Sequence, residues 1–188
     1  MRLSWLPNAI TLARMLMAPP LSWLILEGRD ASALALALVA GLSDAVDGLL
    51  AKRFGWQSRL GGLLDPIADK LMLLGCFVAL GVAEALPWWL VALVVGRDAV
   101  IVAGALAYHR LVGPLVAAPS GLSKVTTAAQ IALVLLVLVD RLDRVVLPGW
   151  IDAGTALLVA ALTAASGLHY VTTWGARARR AWRRKENP

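Results

Sequence analysis

Four aspartates, Asp44, Asp47, Asp65 and Asp69, interrupt stretches of sequence that are otherwise mostly hydrocarbon. A carboxylate in an apolar helix is costly, so a helix that carries one must turn it toward protein, water or a cation. Asp44 and Asp47 are three apart and Asp65 and Asp69 four apart, spacings that put each pair on one helix face. Four carboxylates stay ionised together in a low-dielectric site only if something cancels their charge. One or two hard divalent cations, which take oxygen ligands, are the simplest candidates. Gly48 and Ala51 follow at helical spacing and leave a side of the helix nearly bare, where a flat or extended ligand can lie beside the metal. Between the two pairs, Lys52, Arg53 and Arg59, with Ser58, form a basic connector suited to phosphate. This combination points to transfer of a phosphoryl-type group. The competing readings are ion or proton transport, in a small transporter that uses the aspartates as its cation site, and simple pairing of the acids with Lys70 and Arg14.

The hydrocarbon excludes an ordinary soluble domain: 60% of the 188 residues are hydrophobic and the mean hydropathy is +0.74. The expected fold class is an all-α polytopic membrane protein, with six transmembrane helices after a short N-terminal interfacial segment, as one integral membrane domain over 1–188. The formal net charge of +6 would suggest nucleic acid in a soluble protein. Here much of the excess lies in the tail at 176–188, beside a hydrophobic segment, and anionic lipid headgroups are the expected partner. Cys76, the only cysteine, sits in an apolar run and is expected to pack, with no intrachain disulfide. Arg2 before apolar residues imitates a signal peptide, but Arg14 interrupts the run and no small-residue cleavage site follows, so retention is expected.

Residues 1–6 fit an interfacial segment and Pro7 a helix start. The six spans are expected at about 8–27, 32–53, 61–83, 87–108, 123–139 and 150–174. In the first, Asn8, Thr11 and Arg14 lie three apart on one polar strip that must face protein, either as a wall of the site or as a structural partner for an aspartate. Pro66, between Asp65 and Asp69, either marks a helix start or kinks the helix. Trp88 and Trp89 read as interfacial anchors. Arg97 and Asp98 are adjacent on the fourth span and point in different directions, so each is expected to need its own partner: an acceptor phosphate for Arg97 with Asp98 orienting it, or contacts between helices. The connector at 109–122, with two prolines and two glycines, could move over the site. Ser120 or Ser123 can cap the fifth helix, whose free amides with Lys124 would form a second anion site. His169 reads as an interfacial residue rather than a base.

The order Asp44, Asp47, Gly48, Ala51, a basic residue, Gly61, Asp65 and Asp69 resembles the signature of the CDP-alcohol phosphotransferase family of integral membrane enzymes. Every spacing matches, and the likeness extends over nearly the whole chain. Lys52 departs from the family's usual arginine, which keeps the charge but loses the bidentate fork. The resemblance implies that Asp44, Asp47, Asp65 and Asp69 hold two ions, Mg2+ or Mn2+, that Asp69 also serves as general base, and that Gly48, Ala51 and Gly61 give the cytidine nucleotide its close approach. Asn8, Thr11, Lys52 and Ser58 fall in with the CDP-lipid site, and Arg14, Arg97, Asp98 and Lys124 with the acceptor phosphate. A homodimer is also implied.

Within the family, GRD at 96–98, PSGLSKVTTAAQ at 119–130 and TAASGLHY at 163–170 resemble the cardiolipin synthase branch. The implied reaction joins CDP-diacylglycerol to phosphatidylglycerol, giving cardiolipin and CMP; glycerol 3-phosphate, the acceptor of phosphatidylglycerophosphate synthases, is the alternative. With six spans, Arg2, the 52–59 connector, Arg110, Lys124 and the tail share one side, against Arg29, Arg141 and Arg144 on the other. The positive-inside rule then puts both termini and the site in the cytoplasm, in a bacterial inner membrane.

Overall fold

The computed structural model describes the backbone of residues 6–54, 61–111, 120–142 and 149–186, and side chains over 10–43, 67–108, 110, 120–142 and 153–176. Six helices make up the described chain: α1 Leu6–Leu26, α2 Asp30–Phe54, α3 Gly61–Val82, α4 Trp88–Leu111, α5 Gly121–Asp140 and α6 Gly149–Glu186. Each expected span falls on one of them. Three segments, Trp88–Tyr108, Gly121–Asp140 and Ala153–Ala176, are long and apolar enough to cross a membrane, and Ile10–Leu26 and Asp30–Ser43 are shorter apolar helices. The interfacial segment expected at 1–6 lies almost wholly outside the described residues, as does most of the connector at 109–122.

The chain divides into two units. The first contains α1, α2, α3 and the end of α5 from Val134. There α1 packs against both α2 and α3. Its buried residues Thr11, Arg14, Ala18, Leu21 and Ile25 recur at alternating steps of three and four, one helical stripe that is polar at its start and apolar beyond. Leu12, Leu16 and Trp23 point the other way and are exposed. Pro19 and Pro20 lie inside α1 without ending it. Gly75 of α3 meets α1 closely: a Cβ there would stand 2.6 Å from the Ser22 hydroxyl oxygen.

Helices α1 and α3 end in the same way. At the end of α1, the Arg29 amide reaches the Leu24 carbonyl at 2.9 Å and the Gly28 amide the Ile25 carbonyl at 3.1 Å, with Gly28 at φ 68°. At the end of α3, the Ala85 amide bonds to Leu80 at 2.9 Å and the Glu84 amide to Gly81 at 3.1 Å. Both are Schellman caps, but the second places Glu84 at φ 57°, where glycine is favoured. Arg141, just past α5, ties these ends together. Its Nε donates to Asp30 Oδ1 at 2.8 Å and its Nη1 to the Ala83 carbonyl at 3.4 Å. The start of α2 and the ends of α3 and α5 therefore meet at one end of this unit, as alternating antiparallel helices require.

The second unit holds α4, α5 up to Leu133, and α6. Helices α4 and α6 pack together. The start of α5 joins α6 through buried polar residues: Thr126 Oγ1 donates to the Leu162 carbonyl at 3.2 Å and Gln130 Nε2 to Thr163 Oγ1 at 3.1 Å. Helix α6 runs past the expected end near 174 to Glu186, because after Gly175 the sequence is alanine- and arginine-rich and contains no breaker. The basic tail thus continues the last helix.

Candidate functional site

Asp44 and Asp47 stand in the last part of α2 and Asp65 and Asp69 in the first part of α3, with helical backbone at all four positions. Each pair therefore shares one helix face, on either side of a short connector. Gly48, Ala51 and Lys52 continue α2, and Gly61 opens α3 ahead of Pro66, which lies inside the helix rather than at its start. The side chains of Asn8, Asp44, Asp47, Lys52 and Asp65 lie outside the described residues, as does Ser58.

Asp69 is described, and one of its partners is Arg14. Arg14 Nη1 donates to Asp69 Oδ1 at 2.6 Å; the guanidinium side is 1% exposed and the carboxylate 46%. A fully buried guanidinium requires an anion or acceptors beside it, and the half-open carboxylate supplies one while still facing outward. Thr11, also buried, lies one turn before Arg14. Arg14 thus makes a pairing with an aspartate that the polar strip of α1 allowed. Among the described residues no three acidic, histidine or cysteine side chains converge. The four aspartates expected to act as ligands on α2 and α3 offer carboxylate oxygen alone, a ligand type that suits a hard divalent cation.

In the second unit the buried Arg97 joins three helices. Its Nη1 donates to Asp98 Oδ1 at 2.6 Å, and its Nη2 donates to Ser123 Oγ of α5 and to Ser166 Oγ of α6, both at 2.7 Å. The expectation that neighbouring Arg97 and Asp98 could not pair is thereby corrected. Their Cβ atoms diverge, but the arginine arm is long enough to fold back to the carboxylate. The Tyr170 ring faces Arg97, with Cζ 6.0 Å from its centroid, and packs on Trp174, which meets Tyr108 edge-on.

Ser120 is the cap of α5: its Oγ accepts the Ser123 amide at 3.2 Å. Lys124 follows in the first turn and is exposed. His169 is exposed on α6. Sequence reasoning assigned no role to Gln130, Thr163, Ser166 or Tyr170. Yet these residues sit in the strings 119–130 and 163–170, and with 96–98 those strings converge around Arg97.

Three helices of membrane length, acids paired by helical spacing on α2 and α3, and buried arginines tied to acids and hydroxyls mark a membrane protein that carries polar groups within its helical units. The profile of the CDP-alcohol phosphatidyltransferase family matches residues 4–174, and the chain belongs to that family. It is 32% identical over 185 residues to a cardiolipin synthase (CMP-forming) / mitochondrial hydrolase fusion protein of Schizosaccharomyces pombe, covering 88% of this chain and 30% of the relative. It is 39% identical over 106 residues to a cardiolipin synthase (CMP-forming) of Streptomyces coelicolor, 53% of this chain and 49% of the relative. A CDP-diacylglycerol–glycerol-3-phosphate 3-phosphatidyltransferase 1, chloroplastic, of Oryza sativa subsp. japonica is 39% identical over 102 residues, 54% of this chain and 31% of the relative. The chain spans about half the length of such curated relatives or less.

Proposed function

We propose that this chain transfers a phosphatidyl group from CDP-diacylglycerol to a hydroxyl of phosphatidylglycerol, forming cardiolipin and releasing CMP, in membrane phospholipid synthesis. The observation that carries this reading is the acid series on α2 and α3, ending in Asp69 held by Arg14, in a chain matched to the family over 4–174. In this reading Asp69 accepts the acceptor's hydroxyl proton, the freed oxygen bonds to the phosphatidyl phosphorus, and the bond from that phosphorus to CMP breaks. Arg14 orients the carboxylate. Asp44, Asp47, Asp65 and Asp69 would hold Mg2+ or Mn2+, whose chemistry there is to offset the pyrophosphate charge and stabilise the leaving CMP. Asn8, Thr11, Gly48, Ala51, Lys52, Ser58 and Gly61 would serve the nucleotide end, and Arg97, with Asp98 and Lys124, would read the acceptor phosphate.

Family membership removes the transporter reading. Glycerol 3-phosphate remains a second acceptor, favoured by the name of the rice relative. The cardiolipin synthase reading is supported by the names of the other two. Six membrane spans, a homodimer, a bacterial inner membrane and a cytoplasmic site complete the proposal; the meeting of Asp30, Ala83 and Arg141 at one end of a unit agrees with alternating spans. The test is CMP release by purified protein in detergent, with CDP-diacylglycerol, divalent metal and either acceptor, products being weighed by mass spectrometry. Cardiolipin from phosphatidylglycerol, lost in Asp69→Asn, is expected. Product from glycerol 3-phosphate alone would transfer the assignment to that acceptor.

A further inference from the structure

A guanidinium has five N–H donors. Asp98, Ser123 and Ser166 engage three of those of Arg97. Its Nε is buried with no hydrogen-bond partner among the described residues. Buried donors are nearly always satisfied, and an open one marks a place for a ligand or water. Ser123, which accepts from Nη2, lies in the first turn of α5, so the guanidinium stands against the start of that helix. A fixed cation with an unpartnered donor edge at the start of a helix suits an anion with phosphate oxygens.

What aims that edge is α6. Ser166 is fully buried and accepts from Nη2 at 2.7 Å. The arginine stem rests against α6 at Gly167, where a Cβ would stand at an ordinary contact distance, 3.5 Å from Arg97 Cγ. Tyr170, one turn on from Ser166, faces the guanidinium. Without the Ser166 hydroxyl, Asp98, at 2.6 Å from Nη1, competes for the arginine with less opposing it.

We infer that Ser166 is a positioning residue for acceptor recognition: it holds Nη2 so that the Nε edge of Arg97 meets a phosphate oxygen of the acceptor alcohol. This rests on the reading of Arg97 as the acceptor-phosphate residue. The experiment is CMP-release kinetics of the full chain in mixed micelles, varying the mole fraction of phosphatidylglycerol and, separately, of CDP-diacylglycerol. Ser166→Ala is expected to raise the acceptor KM about tenfold, with kcat and the CDP-diacylglycerol KM within about twofold. Ser166→Thr, which keeps a hydroxyl, should return the acceptor KM to within about threefold of the parent. An unchanged acceptor KM in Ser166→Ala, or a loss shared by both substrates that threonine does not rescue, overturns the inference. Arg97→Lys separates the two levels: an acceptor KM unmoved by it sinks the reading of Arg97 itself. If it moves with Arg97→Lys but not with Ser166→Ala, only the role of Ser166 falls. Should Ser166→Ala not fold, Ser166→Cys, close in volume and a weaker acceptor, is read by the same criteria. If glycerol 3-phosphate is the working acceptor, the same comparison applies with its concentration varied.

Discussion

Arg14 of α1 and Asp69 of α3 stand 55 positions apart in the chain and 2.6 Å apart in space, one of them 1% exposed and the other 46%. The contact links the most buried cation among the described residues of the first unit to the acid proposed as base. Arg14→Gln should therefore lower CMP release by at least about tenfold, and Arg14→Lys, which keeps charge but not the planar fork, should retain part of it. Equal activity in Arg14→Gln and the parent, at matched folding by tryptophan fluorescence, would remove Arg14 from the site.

Gly75 sets how closely α1 and α3 approach. Since a Cβ there would fall 2.6 Å from Ser22 Oγ, Gly75→Leu should force the helices apart, cost about 1–3 kcal/mol and disturb the Arg14–Asp69 contact with them. Thermal unfolding in detergent reports the first effect and CMP release the second. Gly41→Leu, at a position with nothing within 4 Å, is the control and should change neither.

Arg141 connects Asp30 and the Ala83 carbonyl. Its loss leaves a mostly buried carboxylate without that partner, and Arg141→Ala should destabilise the chain by about 1–3 kcal/mol. Replacing both partners, as Arg141→Met with Asp30→Leu, should recover part of that loss, because no charge is then stranded. A double variant no more stable than the single one contradicts this account.

Glu84 occupies the left-handed position of a Schellman cap at φ 57°. A side chain there carries strain of about 1 kcal/mol that glycine lacks, so Glu84→Gly should raise the unfolding midpoint slightly. A lower midpoint would mean that the glutamate side chain makes a compensating contact.

If the four aspartates hold hard cations, chelation by EDTA should abolish CMP release, and Mg2+ or Mn2+ should restore it. Asp44→Asn, Asp47→Asn and Asp65→Asn should each weaken metal activation, seen as a right-shifted titration with metal. Full activity in excess chelator would exclude the metal reading.

Much of the fold was legible because apolar helices announce themselves by length and hydrocarbon, and three of them are long and apolar enough to cross a membrane. All six expected spans coincide with helices, and the polar strip of Thr11 and Arg14 faces inward as its spacing required. Ser120 was one of two candidate caps, and only the backbone geometry chose it. The pairing of Arg97 with Asp98 was not legible, because adjacency on a helix describes where Cβ atoms point and not how far a guanidinium can reach. The clamp at Arg141 was also hidden: Asp30 is 111 positions away, and charges in two polar connectors look solvated until the chain is folded.

By itself the sequence determined which segments are helices, that the strip of Thr11 and Arg14 on α1 turns inward, and that four aspartates fall in two helical pairs, because periodicity and the cost of burying charge act locally. Partner choice was decided only by the tertiary structure. Arg14 could have met any of several acids, and Arg97 any of several hydroxyls. Which one it meets depends on how closely helices approach, as at Gly75 against Ser22. Such approaches are set by packing across segments far apart in the chain, where local spacing carries no information.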